Sequence, residues 1–279
     1  MGALGYADDI VLLCPTKEGL RELIKICEKY AMDHDILFNG NKSKLLVFGS
    51  TTNIQPSIYV NGVQVPVCGN AMHLGNFVSN NISDCVDYGI GKFNSSFNYF
   101  MSSFGKCQSS VKNKLFIQYC TSFYGSQIWP LYKNDLMKKI CVNWRNALRR
   151  IWSVPSNTHC DILPLLASQS PIDIQLKCRF LNFYRTLINS DNALIRYLSN
   201  AMTFTNRSTM SSNFNRILCD LNMDACELTK LSLKNVKDMY YNKWLNSVDN
   251  QYLIHSKVIN EVIMMKEGIF LQRFRQFSV

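Results

Sequence analysis

Close cysteine pairs are missing from this chain, although it has 11 cysteines. Cys219 and Cys226, the nearest two, stand seven positions apart, so there is no CxxC to form a zinc ribbon or a dithiol redox centre. The odd count, with no secretory n-region and h-region at the amino end, argues against a disulfide framework. It predicts buried free thiols in a reducing, intracellular compartment. No apolar run approaches the roughly 20 residues that a membrane-spanning helix requires. The 4 histidines, His34, His73, His159 and His255, form no ligand spacing and read as ordinary core or surface residues. Internal repeats and low-complexity tracts are also missing.

What is present bounds the fold. The 279 residues, 47% of them hydrophobic, are enough for one large domain or two ordinary ones with a real core. The formal charge of +10 leaves two readings: a solvated basic surface, or an anionic partner. Nucleic acid fits such a partner better than a membrane, because the aromatic residues are spread along the whole chain.

Two regimes follow one another. Residues 3–6 and 10–14 are short apolar runs around Ala7-Asp8-Asp9, which predicts a tight hairpin with the carboxylates at its tip. Thr16 offers an N-cap for a helix reaching about residue 33. Leu45-Leu46-Val47-Phe48 reads as a strand. Asn61-Gly62 between Ile58–Val60 and Val63–Val65 is a strong hairpin signal, because both turn positions need positive φ. A further strand is expected at His73–Val78. After about residue 84 the pattern turns helical, over about 84–104, 111–128, 134–152, 171–189, 192–202, 214–221, 232–247 and 251–275. In the third of these, Leu136, Ile140, Trp144, Leu148 and Ile151 make one apolar stripe. Ser170 reads as an N-cap with Pro171 at the first helical position. Residues 203–213, rich in Ser, Thr and Asn, are the linker candidate. The fold class is α+β.

The opening stretch carries the chemistry. Phosphoryl transfer needs metal ions placed to activate the attacking hydroxyl and to steady the leaving pyrophosphate. Mg²⁺ takes oxygen ligands, typically one or two carboxylates completed by water and phosphate. Neighbouring strand residues point to opposite faces, so one aspartate is read as the ligand and the other as its support. As an isolated sequence, Ala-Asp-Asp is equally an ordinary polar turn.

Tyr6-Ala7-Asp8-Asp9 between apolar runs resembles the catalytic hairpin of reverse transcriptases, and the text that follows is similar to the non-LTR retrotransposon (LINE-type) branch. "LFNGNKSKLLVFG" at 37–49 resembles the fourth palm motif and "HLGNFVS" at 73–79 the fifth, the primer-gripping hairpin. "NWRNALRRIWSVPSNTHCDILPLL" at 143–166 and "SPIDIQLKCRFLNFYRTL" at 170–187 are similar to the helical segment after the palm in insect-type members. The likeness spans about residues 3–200.

The resemblance implies a partial reverse-transcriptase palm over 1–82, a mostly α-helical thumb-like region over 83–202, and a helical extension of unknown role over 203–279. It implies that Asp8 and Asp9 serve Mg²⁺, and that Tyr6 and Ala7 border the incoming nucleoside triphosphate and the primer end. Lys42 would stand near the triphosphate, the alternative being a solvated loop lysine. Leu74 and Gly75 would present backbone to the primer, with Gly75 equally readable as a turn glycine. In the basic stretch 133–150, Lys138, Lys139, Arg145, Arg149 and Arg150, interleaved with tryptophan, would track an RNA template paired with a DNA primer, the alternative being a solvated basic face. A palm of this kind also takes an aspartate and basic fingers from sequence that would precede Met1. The expectation is therefore the carboxy-terminal part of an RNA-directed DNA polymerase, inactive alone. The alternatives are a non-catalytic nucleic-acid-binding remnant and an inert pseudogene product.

Overall fold

The structure, a computed structural model, describes residues 2–49, 57–205, 208–248 and 250–266. It is α+β, and the chain divides into two compact units, Met1–Cys85 and Val86–Val279. Each is described by itself.

The first unit carries all the described strands as three separate two-stranded antiparallel ladders. β1 (Gly2–Tyr6) pairs β2 (Asp9–Leu13) through a two-residue turn, with Tyr6 opposite Asp9. Helix α1 (Lys17–Asp33) starts where expected, the Thr16 hydroxyl accepting from the Gly19 N–H at 3.2 Å. β3 (Ile58–Val60) and β4 (Val63–Val65) turn at Asn61 and Gly62, whose φ values of 48° and 75° are what the Asn-Gly signal demands. The Asn61 side chain is tied in turn to the Phe38 carbonyl at 2.7 Å.

Two expectations for this unit are corrected. Leu45–Phe48 is not a strand: Leu45 makes one isolated parallel bridge to Val67, donating to the Pro66 carbonyl and accepting from the Cys68 N–H. Pro66 has no N–H with which to extend the ladder one way, and Asn70 is committed to β5 the other way. His73–Val78 is not one strand either. It is the turn and second arm of a hairpin, β5 (Asn70–His73) against β6 (Asn76–Ser79), bent at Leu74 and Gly75 with φ 48° and 76°. The core of this unit is small, with Ile24, Ile58 and Val65 buried and Leu12, Leu20, Leu45 and Val60 packed on them.

The second unit is helical: α2 (Ile82–Phe104, its first turn in the other unit), α3 (Ser109–Tyr119), α4 (Asn134–Trp152), α5 (Ile162–Ala167), α6 (Ile172–Ile188), α7 (Ala193–Phe204), α8 (Thr209–Leu221), α9 (Ala225–Lys230), α10 (Leu233–Ser247) and α11 (Asn250–Lys266). On α2, Val86, Ile90, Phe93, Phe97 and Phe100 repeat at intervals of four and three and all are buried. Phe116 of α3 meets Phe93 and Phe97 edge-on, at 6.1 and 5.8 Å between ring centres. One apolar core runs from Val86 to Tyr240.

The expected helix 111–128 is shorter. It ends at Tyr119 and is followed by a bend, with Phe123 at φ 39° and Gly125 at φ 80°, then a single 3₁₀ turn at Ser126–Ile128. The bend buries Phe123, which stacks on Phe93 at 5.1 Å. Its carbonyls are not stranded: the Arg179 guanidinium of α6 donates to Thr121 and Ser122, each at 2.5 Å. Long-range packing and a distant arginine set this helix end, so local pattern could not show it. Pro171 occupies the N-cap of α6 rather than its first turn, and Ser170 does not cap it. The linker expected at 203–213 is largely helical among its described residues, 206 and 207 lying outside them: α7 runs to Phe204. α8 begins at Thr209, capped by Ser208 and with Met210, Ser211, Asn213 and Phe214 buried; the Asn213 side chain donates to the Trp129 carbonyl at 2.8 Å. Residues 267–275 of the last expected helix lie outside the described residues.

A contrast between two helical glycines tests this packing. A Cβ on Gly89 would lie 2.2 Å from the Trp129 ring, while one on Gly91 would meet nothing within 4 Å. Gly89→Ala should destabilise the second unit by about 1–3 kcal/mol through overpacking. Gly91→Ala should stabilise it by up to about 1 kcal/mol through helix propensity. Chemical-denaturation midpoints of the two variants are expected to move in opposite directions.

Candidate functional site

The hairpin tip is built from the turn outward. Ala7 and Asp8 are its two central residues, and Ala7 alone of the two has positive φ, 51°. An alanine held there costs on the order of 1–2 kcal/mol. Asp9 is the first residue of β2, opposite Tyr6, and Tyr6, Ala7, Asp8 and Asp9 are all exposed, Tyr6 at 68%. The turn thus projects two adjacent carboxylates and a phenol from one end of a two-stranded ribbon. In donor type the carboxylates fit a hard dication such as Mg²⁺. Among the described residues, no third His, Cys, Asp or Glu joins them at metal-ligand distance. The tip by itself offers part of a coordination shell, which water or phosphate oxygens would complete.

The other expected site residues of this unit are placed separately. Lys42 is exposed in a turn whose backbone is folded on Asn39: its N–H meets the Asn39 carbonyl and side-chain oxygen, each at 3.2 Å. No hydrogen bond or ion pair joins Lys42 to Asp8 or Asp9. The preceding residue that fixes this turn is Gly40, where a Cβ would come within 2.8 Å of Val63 and 2.9 Å of the Val60 carbonyl. Only glycine lets the loop lie so close to the β3–β4 hairpin, a contact that sequence spacing does not reveal. Leu74 and Gly75 form the turn of the β5–β6 hairpin.

The basic helix α4 buries Leu136, Met137, Ile140, Trp144, Ala147, Leu148, Ile151 and Trp152. A period of 3.6 residues then places Lys138, Arg145 and Arg149 in one outward row and Lys139 and Arg150 in a second. Several of these cations are engaged within the protein. Lys139 pairs with Asp87 of α2 at 3.0 Å. Arg149 donates to Asn146 at 3.1 Å and to the Thr158 carbonyl at 3.0 Å. Arg150 donates to Asn98 at 2.9 Å and lies 4.8 Å over the Phe97 ring. Lys138 and Arg145 make no hydrogen bond or ion pair with a described residue. The groove between α2 and α4, about 500 Å³, is lined by Asp87, Asp135, Lys138, Lys139 and Asn143 among others. Its charge is mixed, and of the five cations Lys138, Lys139 and Arg150 are exposed while Arg145 and Arg149 are half-buried.

A charge cluster that sequence spacing did not reveal joins α6, α8 and α10. Asp220 accepts from Lys177 at 2.7 Å and from Arg216 at 3.1 Å. The Tyr240 hydroxyl donates to the same carboxylate at 3.5 Å, and Lys243 donates to the Asp220 carbonyl. Only Arg216, four positions from Asp220 on one helix, was legible from spacing. Burial, then the Asp220 charge, pushes the Tyr240 phenol far up.

All the cysteines are free, as expected, but only Cys120 is buried; Cys219 and Cys226 are exposed and the rest are intermediate. Burial pushes the Cys120 and Cys141 thiols from 9.0 up to about 11, which leaves both protonated and poorly nucleophilic at neutral pH.

No helix among the described residues is long and apolar enough to cross a membrane. Comparison of the chain with protein families, with curated proteins and with solved structures gives no match.

The raised thiols give a pH dependence with a definite sign. A group whose folded pKa lies above its unfolded one contributes stability in full below the unfolded value and loses it as pH rises through the folded one. For Cys120 and Cys141 that window runs from 9.0 to about 11. The thermal midpoint of the second unit should fall across it under reducing conditions. Cys120→Ala/Cys141→Ala should show a shallower fall over the same range.

Proposed function

We propose that the chain derives from an RNA-directed DNA polymerase of the LINE type, and that it binds an RNA template paired with a DNA primer. The observation that carries this reading is the two-residue turn that puts Asp8 and Asp9, behind Tyr6-Ala7, at the exposed tip of an antiparallel hairpin. In this reading Asp8 and Asp9 hold Mg²⁺, which supplies charge stabilisation for phosphoryl transfer from a nucleoside triphosphate. Tyr6 and Ala7 border the nucleotide and the primer end, Lys42 approaches the triphosphate, and Leu74-Gly75 presents backbone to the primer. Lys138 and Arg145, with Lys139, Arg149 and Arg150 beside them, meet backbone phosphates without reading sequence. Two carboxylates without a third close by among the described residues do not by themselves build a two-metal centre, so the chain alone should not polymerise.

A second reading, a non-catalytic nucleic-acid-binding protein, draws on a different observation. Lys138 and Arg145 lie in one row of α4, seven positions apart, with no hydrogen bond or ion pair to a described residue. That arrangement serves phosphate binding whether or not the hairpin ever supports catalysis.

One pair of assays tests both. Primer extension on an RNA template with Mg²⁺ should give no product from the chain or from Asp8→Ala, while binding of an RNA–DNA duplex weakens steeply with salt. Lys138→Ala/Arg145→Ala should lower the slope of log K against log salt by roughly 2, about one unit for each phosphate no longer neutralised. Extension that disappears in Asp8→Ala would show catalysis by this chain alone and overturn its inactivity. Absence of any duplex binding would overturn both readings.

A further inference from the structure

We propose that His159, Cys160 and Asp161 form a binding site for a dication of the zinc class, separate from the carboxylate hairpin. The three residues lie in the turn that leads into α5, and one ligand atom from each falls within 4.8 Å of the others. The His159 Nδ1 is 3.6 Å from an Asp161 carboxylate oxygen, and the Cys160 Sγ is 4.0 Å from the other oxygen of that group. Metal–ligand bonds of about 2.0–2.3 Å in a tetrahedral zinc site set ligand atoms roughly 3.3–3.7 Å apart. The ligand atoms, all within 4.8 Å of one another, lie wider than a bound ion sets them, so the turn contracts to close on it.

The ring is already oriented. His159 stacks on Tyr252 of α11, with ring centres 3.9 Å apart and planes 8° from parallel. Its Nδ1 faces the Asp161 N–H across a long 3.4 Å contact, which a metal bond to the same nitrogen would replace at little loss. Cys160 and Asp161 are only partly exposed, while His159 is open to solvent, so an ion has a way in and a protected side.

The chemistry of the set selects the ion. A thiolate and an imidazole favour zinc and its neighbours over Mg²⁺ or Ca²⁺, and one carboxylate completes a three-ligand set that leaves a fourth position for water. Two anionic ligands balance the dication. Binding converts the Cys160 thiol to a thiolate and releases its proton to solvent.

The site is tested with the full chain, reduced and metal-free, titrated with Co²⁺ as the probe. A thiolate-to-cobalt absorption band should saturate near one equivalent and vanish when Zn²⁺ is added. Cys160→Ser should abolish the band. His159→Phe keeps a ring to stack on Tyr252 while removing the ligand, and should weaken Co²⁺ binding at least tenfold, as should Asp161→Asn. Circular dichroism of the metal-free variants identifies any that fail to fold; the assignment then stands on those that keep the wild-type helicity. A wild-type chain without the band overturns the proposal. So does a band undiminished in folded Cys160→Ser, which would place the ion on an exposed thiol such as Cys219 or Cys226, or Co²⁺ affinity unchanged in both other variants.

Discussion

The second unit depends on the burial of one side of α4. Trp144, Leu148 and Ile151 are each at most 1% exposed, and removing such side chains from water contributes about 1.5–3 kcal/mol apiece. Rotating α4 by even one residue would bring a cation into that core, and an unpaired buried charge costs far more than one aliphatic contact gains. The apolar stripe therefore decides where the basic residues go. Lys138, Lys139 and Arg150 are exposed because Ile140, Trp144 and Ile151 are inward, and any use of the cations inherits its geometry from the core.

The packing around α4 shows how far a basic helix differs from a basic surface. Arg150 lies over Phe97, Arg149 holds the Thr158 carbonyl, and Lys139 meets Asp87. These contacts secure the neighbouring loop and helix at the cost of freely available charge. The exposed Lys139–Asp87 pair is worth little in stability, so a polyanion can compete for Lys139. Arg149, partly buried and committed to a backbone carbonyl, would leave that carbonyl unsatisfied if it moved, and an acceptor so stranded costs about 1–3 kcal/mol. The formal charge of +10 thus overstates what a phosphate backbone would meet on this helix.

Sequence pattern was most informative where one local rule governs the outcome. The Asn61-Gly62 turn, the Thr16 cap, the hairpin around Ala7-Asp8 and the span of α4 were all readable, because turn φ values, a hydroxyl acceptor and a 3.6-residue stripe are local properties. Errors arose where distant residues decide. Leu45–Phe48 has the composition of a strand, yet its partner segment carries Pro66 and then departs into β5. The end of α3 rests on Arg179, nearly 60 positions away. Met210 and Phe214 are buried from within a polar stretch because Asn213 reaches the Trp129 carbonyl across 84 positions. At the candidate site, the exposed carboxylate tip was legible and the commitments of Arg149 and Arg150 were not. His159, Cys160 and Asp161 show no ligand spacing, since their signal is adjacency.

In the first unit, Leu4, Tyr6, Ile10 and Leu13 are exposed on a hairpin of only two strands, and an isolated ribbon of that kind is marginal in water. Its register is nevertheless specified by the turn, because a shift of one residue would change which residues occupy the turn and move the positive φ from Ala7 to another residue. Ala7 bears that conformation without the freedom of glycine. A larger residue there would bear the same backbone strain and add bulk beside both carboxylates, whereas glycine would relieve the strain but loosen the tip. Alanine combines a defined turn with open space next to Asp8. That combination of a small side chain, a strained turn and two projecting carboxylates is the feature through which the fold of the first unit bears on chemistry.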